Sequence, residues 1–399
     1  MTRCTGIITE YNPLHNGHVY HIERTKSITG GAPIIVAMSG WFVQRGDAAA
    51  FDPYTRAMWA LKAGADMVIQ LPVMFSMSGA ERFARGGAHV LYSTGLVDKL
   101  SFGAECGNMD VISRAAELLL HEPAGYKAEL ASILASGKSY PSAAAEALAR
   151  IIGQDDCDVL SSPNNILAIE YIQAINRAGF DMEPVAVERT GAMHDSDEAV
   201  FGSMSASAIR NSLKSNNGNM EAIEQAVPQY VFDAIVNNNA AIMHADGLSH
   251  AVLYALRKLT KEEIADIPDV AEGLENTIYL SCRNTTCFDE LIKSIKTKRY
   301  TLARIRRICL NALLGITKGD YKKAETPKYI RVLGIKKASL YLMAEMAKSA
   351  KLPIVACRRD YDKLDAEAKA CFDKDIFAAE TAQLNAPYIN EFARKLIIV

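Results

Sequence analysis

The sequence predicts an α/β fold: an open, mostly parallel sheet in the first half, then a mostly helical second half that carries a small α/β element. Two observations predict it, and a third marks the second half as different in its partners. Short apolar runs alternate with segments of helical period through the first ~200 residues, the pattern of stacked βαβ units. The segment between the first two runs is long enough for a crossover helix. Charge is also divided unevenly, with 15 Lys/Arg against 23 Asp/Glu in residues 1–200 and 29 against 23 in residues 201–399.

Length and composition fit two domains with ample core, since 399 residues are 49% hydrophobic. The boundary is expected near residue 218, giving domains 1–218 and 219–399. No apolar run has the length of a membrane span, and the chain enters a strand at once without a signal-peptide pattern, so a cytoplasmic protein is expected. The eight cysteines are scattered without metal-ligand spacing, and no metal site is expected from them.

In chain order, Gly6–Ile8 reads as a buried strand that stops at the turn formers Asn12 and Pro13. His15-Asn16-Gly17-His18 follows, and a helical pattern resumes through Val19, Ile22 and Lys26. A strand, tight turn and helix N-terminus make a phosphate site, because orphan N–H groups and the positive end of the helix dipole face a docked anion. Residues 32–39 form a second buried strand. A loop with Gln44-Arg45-Gly46-Asp47 comes next, where Arg45 is in reach of a triphosphate or carboxylate, and then a helix from Pro53 and a third strand at 67–71. Residues 78–92 read as helix and 100–105 as a strand with Gly103 near its end. Helices are expected at 109–120, 126–135 and 142–152. Ser161-Ser162-Pro163-Asn164-Asn165 opens another helix, followed by a strand at 184–188 that ends on Arg189.

Ser203 to Arg210 reads SMSASAIR, hydroxyls at a helix start with an arginine one turn in. Beyond about residue 220 the segments are mostly helical. Residues 283–337 hold 15 basic and 4 acidic side chains, a footprint for a polyanion. Within it Arg304 and Arg307 fall off the apolar stripe of a helix at 301–316, and Lys298, Arg299 and Tyr300 precede it, so these four cations are the candidate RNA contacts. Strands at 329–335 and 352–356 bracketing a helix at 337–348 form the small α/β element.

His15-x-Gly17-His18 after a first strand resembles the HxGH signature of the nucleotidyltransferase superfamily. The longer string Glu10-Tyr11-Asn12-Pro13-Leu14-His15-Asn16-Gly17-His18, with Pro163-Asn164-Asn165-Ile166-Leu167 and the late Ser-x-x-x-Ile-Arg string, resembles one branch, the bacterial tRNA(Met) cytidine acetate ligases. The resemblance implies a Rossmann-like nucleotidyltransferase domain, with His15 and His18 catalytic. It implies ATP contacts from Ile7, Ile8, Thr9, Glu10, Tyr11, Asn12, Pro13, Leu14, His15, Asn16, Gly17, His18, Val19 and Tyr20, and from Gly103, Asn164, Asn165, Arg189, Ser205 and Arg210. It implies ATP with accompanying Mg2+, acetate as the acid, and elongator tRNA(Met) as the acceptor whose wobble cytidine becomes N4-acetylcytidine. The core itself leaves three alternatives open: an acetate ligase acting on a protein thiol, a nucleotidyltransferase making a cofactor, and an RNA-binding scaffold with a vestigial nucleotide site. Asp47, Asp195 and Asp197 are conceivable magnesium contacts, and His21 is a spare imidazole behind the motif.

Overall fold

Strand β1 (Cys4–Thr9) lies at the centre of the sheet, with β2 (Ile34–Ser39) parallel beside it. The loop after β2 is more ordered than the sequence suggests: β3 (Phe42–Val43) and β4 (Asp47–Ala48) close it as a small antiparallel hairpin. The remaining strands are β5 (Met67–Leu71), β6 (Val97–Ala104), β7 (Glu183–Glu188), β8 (Ile330–Ile335), β9 (Ile354–Val355) and β10 (Ile397–Ile398). This computed structural model describes residues 2–106, 108–138, 140–153, 162–188, 204–215, 218–237, 242–271, 273–297 and 300–399. Arg189, Asp195, Asp197, Lys298 and Arg299 lie outside them.

The main sheet has the order β10-β8-β5-β2-β1-β6-β7, with β9 also paired to β8. The chain steps outward from β1 through β2 to β5, then returns to β6 and β7 on the other side of β1. The topological switch point therefore lies between β1 and β6, where an open α/β sheet leaves a crevice beyond the strands' carboxyl ends.

Strand periodicity sorts the core onto two faces. Ile35 and Ala37 of β2 and Met67, Ile69 and Leu71 of β5 join the core on one face, which the helix Ala80–Tyr92 covers with Phe83, Ala84, Ala88 and Leu91. Ile34, Val36, Met38 and Val68 face the other side, where the helix Pro53–Lys62 supplies Ala57, Ala60 and Leu61. Every residue of β2 and β5 is buried, as expected of central parallel strands covered on both faces.

The strands expected at 329–335 and 352–356 do form, as β8 and β9, but they do not make an element of their own. β8 pairs antiparallel with β5 and extends the main sheet, and β10 adds at its far side. Without β8 the β5 edge would present unpaired backbone groups. The helix expected at 337–348 is a 3₁₀ turn, Lys337–Ser339, followed by the helix Tyr341–Ser349.

Strand pairing thus crosses the boundary expected at 218, and buried polar groups reinforce the joint. Asp375 accepts from the Val73 amide (2.6 Å), Gln70 Nε2 (2.9 Å) and the Tyr329 hydroxyl (2.5 Å). Glu391 accepts from Trp41 Nε1 (2.8 Å) and Arg331 Nη2 (2.5 Å). Among the described residues no helix is long and apolar enough to cross a membrane, and the seven described cysteines are free thiols.

Candidate active site

β1 delivers the chain to the switch point and the backbone then turns sharply. Tyr11 adopts a left-handed φ of 44°, a conformation uncommon for a bulky residue and held here by the fold. Its buried ring meets His18 edge-on, with centroids 4.9 Å apart. Asn12 is buried too: its Oδ1 accepts from the Ala50 amide (2.7 Å) and its carbonyl accepts from Arg210 Nη1 (2.6 Å).

The helix Asn16–Ile28, α1, begins with a cap made of the two motif histidines. His15 Nδ1 accepts from the Gly17 amide (3.1 Å), and His18 Nδ1 accepts from the His15 amide (3.2 Å). The rings stack at 3.7 Å between centroids. Because both Nδ1 lone pairs receive backbone N–H groups, each neutral ring carries its proton on Nε2. The expectation that orphan amides of α1 face the phosphate is corrected accordingly. The first-turn amides of Gly17 and His18 bond to His15 itself, and the imidazole Nε2–H groups, with the helix dipole, are what the turn offers to an anion. Gly17 has a related role. A Cβ there would stand 3.0 Å from His15 Cε1, so the absent side chain makes room for the His15 ring to fold back onto the turn.

Arg56 braces this corner from behind, and nothing in the sequence marked it. Within α2 (Pro53–Lys62) it is wholly buried, and burial pulls its guanidinium down to about 10. It donates to the carbonyls of Phe51 (2.8 Å), Glu10 (2.6 Å), Ser39 (3.0 Å) and Gly40. One side chain thereby ties the carboxyl ends of β1 and β2 together.

The facing wall of the cleft comes from β6 and the helix Pro163–Ala178. Phe102 and Gly103 line it, with Asn164, Leu167 and Tyr171 one helical face apart and Phe83 beneath. Asn164 Nδ2 donates to Glu105 Oε1. Asn165 is nearly fully buried, and its Oδ1 accepts from the Glu105 (2.9 Å) and Cys106 (3.1 Å) amides. It holds the loop after Gly103 and does not line the cleft. Asn165→Ala is expected to cost about 1–3 kcal/mol of stability by leaving two amides without their acceptor, and to raise the KM for ATP severalfold. Steady-state kinetics with a parallel thermal melt check this; an unchanged KM would remove that loop from nucleotide binding.

The third wall is cationic. Ser205 caps the helix Ala206–Lys214 by accepting from the Ala208 amide (3.1 Å), and Arg210 Nη2 donates to Ser207 Oγ (3.1 Å). Gln44 and Arg45 of the β3–β4 turn close the same end. Burial pulls the Arg210 guanidinium below its ordinary value, Glu10 and Asp47 push it back up, and the cations Arg45 and Arg306 add to the lowering. Arg45, Arg210 and the two imidazoles thus line the same cleft, a set of donors suited to negative charge on phosphoryl oxygens.

Of the expected nucleotide contacts, the cleft brings together Ile7, Ile8, Thr9, Glu10, Tyr11, Asn12, His15, His18, Gly103, Asn164, Ser205 and Arg210. Pro13, Leu14, Asn16, Gly17, Val19, Tyr20 and Asn165 are not in its wall. Leu14 is fully buried in the core, Val19 packs against that core, and Asn16 donates to the Gln225 carbonyl (2.9 Å). Residues the sequence reading left out include Ser207, which the Ser-x-x-x-Ile-Arg string already contained, and Tyr171, four residues beyond Leu167. His21 also lines the cleft, its Nε2 3.0 Å from Ser101 Oγ.

The candidate RNA contacts Arg304 and Arg307 both make bonds within the protein, where the partly buried Arg304 donates twice to the Asp269 carbonyl (2.9 and 2.7 Å). Arg307 pairs with the Asp269 carboxylate (3.0 Å) and donates to the Gln44 carbonyl (3.2 Å). Asp47 is likewise engaged, accepting from the Ala245 amide (2.6 Å) and pairing with Arg306 (3.3 Å). Among the described residues no three His, Cys, Asp or Glu side chains group as metal ligands.

Comparison with known proteins agrees with this geometry. The profile of the family described as HIGH Nucleotidyl Transferase matches residues 2–395. The tRNA(Met) cytidine acetate ligase of Thermoanaerobacter sp. (strain X514) is 38% identical over 379 residues, 94% of this chain and 93% of the relative. That of Clostridium acetobutylicum is 36% identical over 410 residues, 99% of each chain. The crystal structure of apo Thermotoga maritima TmcAL superposes with a TM-score of 0.92 at 28% identity over 100% of both chains, and the form bound with alpha-thio ATP with 0.90. With the histidine-capped turn at the switch point and this similarity along nearly its whole length, the chain belongs to the HIGH nucleotidyl transferase family, in the branch of the tRNA(Met) cytidine acetate ligases.

Proposed function

We propose that this chain is an ATP-dependent acetate ligase that activates acetate as acetyl-adenylate and transfers the acetyl group to N4 of the wobble cytidine of elongator tRNA(Met). The observation that carries the reading is that two Nε2–H imidazoles, Arg45 and Arg210 line one cleft at the switch point. Thermotoga maritima TmcAL, a relative of the same fold, is bound with alpha-thio ATP in its crystal structure.

In the first step an acetate oxygen attacks the α-phosphorus in line, forming the mixed anhydride and breaking the bond to pyrophosphate. His15 and His18 donate from Nε2 to the α-phosphoryl oxygens as their charge grows, while Arg45, Arg210 and the Ser205 turn hold the departing pyrophosphate. Phe102 and Tyr171 supply apolar and aromatic surface for the adenine. Arg189 enters this reading as a cation near the adenosine. Magnesium would accompany the triphosphate and offset its charge; Glu10, whose Oε1 accepts from the Gln44 amide (2.8 Å), is the carboxylate in the described cleft wall that would face it.

In the second step the cytidine N4 amine attacks the acetyl carbonyl, AMP leaves, and the amine loses a proton. Anticodon bases can be splayed out of a loop to reach such a site. The basic second half, with Lys298 and Arg299 as its proposed contacts after Arg304 and Arg307 are set aside, favours an RNA acceptor over a protein thiol or a small cofactor precursor. A cytoplasmic location follows from these substrates. Acetate-dependent exchange of labelled pyrophosphate into ATP tests the first step without RNA. Exchange that proceeds equally without acetate would replace the ligase reading by another nucleotidyl transfer.

A further inference from the structure

The β3–β4 turn that presents Arg45 to the cleft is gripped from the far half of the chain by two consecutive arginines of the helix Leu302–Leu313. Arg306 Nε donates to the Gly46 carbonyl (2.9 Å) and its Nη2 pairs with Asp47 (3.3 Å). Arg307 Nη1 donates to the Gln44 carbonyl (3.2 Å). The carbonyls on either side of Arg45 are therefore both bound by this helix.

Gly46 shows how close the contact is. It has φ +73, and a Cβ there would stand 2.6 Å from the Arg307 amide nitrogen and 2.7 Å from Arg306 Cβ. Only glycine combines that backbone conformation with that approach. The two arginines are themselves anchored, Arg306 toward Asp246 (3.7 Å) and Arg307 on Asp269 (3.0 Å). On its other side the turn is tied to β1's end, where Glu10 Oε1 accepts from the Gln44 amide (2.8 Å). The side chains of the two closer pairs, Arg306–Asp47 and Arg307–Asp269, are less than a third exposed, where ion pairs hold geometry better than surface pairs do.

We propose that Arg306 and Arg307 are positioning residues for Arg45: they clamp the Gln44–Asp47 turn so that Arg45 meets the nucleotide's polyphosphate. The clamp makes a C-terminal helix part of the ATP site, and it rests on the nucleotide reading given above. Arg45 touches the substrate, and Arg306 and Arg307 act through it.

A double-mutant cycle in the full-length protein tests the clamp, read by ATP titration and by acetate-dependent pyrophosphate exchange. Arg307→Ala is expected to raise the KM for ATP by about tenfold or more with a smaller change in kcat, in line with the cost of misplacing a phosphate ligand. Arg307→Lys, which keeps a donor in reach of Gln44, is expected to restore part of that loss. In an Arg45→Ala background, Arg307→Ala is expected to add less than about twofold, because the group it positions is gone. Should Arg307→Ala fail to fold, Asp269→Ala, which loosens Arg307 from outside the turn, enters the same cycle. A KM for ATP unchanged by these single substitutions, or effects that multiply in full in the Arg45→Ala background, overturns the clamp. Wild-type protein that does not bind ATP overturns the nucleotide reading and the clamp with it, whereas ATP binding with an unmoved Arg307→Ala overturns the clamp alone.

Discussion

His18→Ala is expected to slow adenylate formation about 10²–10³-fold, the effect of removing one preorganised donor from a developing anion. The same substitution also removes half of the α1 cap, since His18 Nδ1 accepts the His15 amide, and losing a cap costs about 0.5–2 kcal/mol. Two variants separate these roles. An Asn side chain at 18 can place its oxygen where Nδ1 now accepts, so His18→Asn keeps the cap but has no donor at the Nε2 position. It should melt close to wild type and still lose the rate. Pyrophosphate exchange and thermal melting in parallel decide this; a His18→Asn protein with near-normal exchange would reduce His18 to a helix cap. Affinity for tRNA should stay within about twofold in both variants, since neither touches the basic half.

Arg56→Ala is expected to cost about 3–5 kcal/mol in urea unfolding and to abolish measurable ATP affinity. Four carbonyls, of Phe51, Glu10, Ser39 and Gly40, lose their donor together, at about 1–3 kcal/mol for each that stays buried and unmet, less what entering water recovers. Glu10 sits at the end of β1 and Ser39 at the end of β2, so the same loss lets the floor of the cleft spread. Arg56→Lys should recover only part, because one ammonium cannot fork to four carbonyls from three separate stretches of chain. A stable Arg56→Ala protein with intact ATP binding would mean the strand ends hold without this brace.

The parts of the site legible in the sequence are those made within a few residues. The β1–turn–α1 unit was readable because an apolar run, Asn12-Pro13 and a helical period follow one another directly, and the SMSASAIR string announced both a cap and Arg210. What stayed hidden depends on partners far along the chain. Arg304 and Arg307 read as RNA contacts because sequence shows charge but not Asp269, whose carbonyl receives Arg304 and whose carboxylate pairs with Arg307. Arg56 reads as an ordinary helix arginine until β1 and β2 close around it. β8 follows the apolar pattern of a strand, yet its pairing with β5 spans more than 250 residues of chain, and no local signal names that partner. The part played by Gly17 is equally hidden, since it gives way to the His15 ring.

The claim that most needs a direct answer is the joining of an acetate-activating site to an RNA acceptor in one chain. Purified protein incubated with ATP, radiolabelled acetate and total bacterial tRNA, followed by digestion to nucleosides, addresses it. The account predicts label in N4-acetylcytidine, dependent on ATP, with one AMP formed for each acetyl group transferred and labelling about 10²–10³-fold slower in the His18→Asn variant. Acetate-dependent pyrophosphate exchange beside unlabelled tRNA would contradict it and move the acceptor to a thiol or another amine.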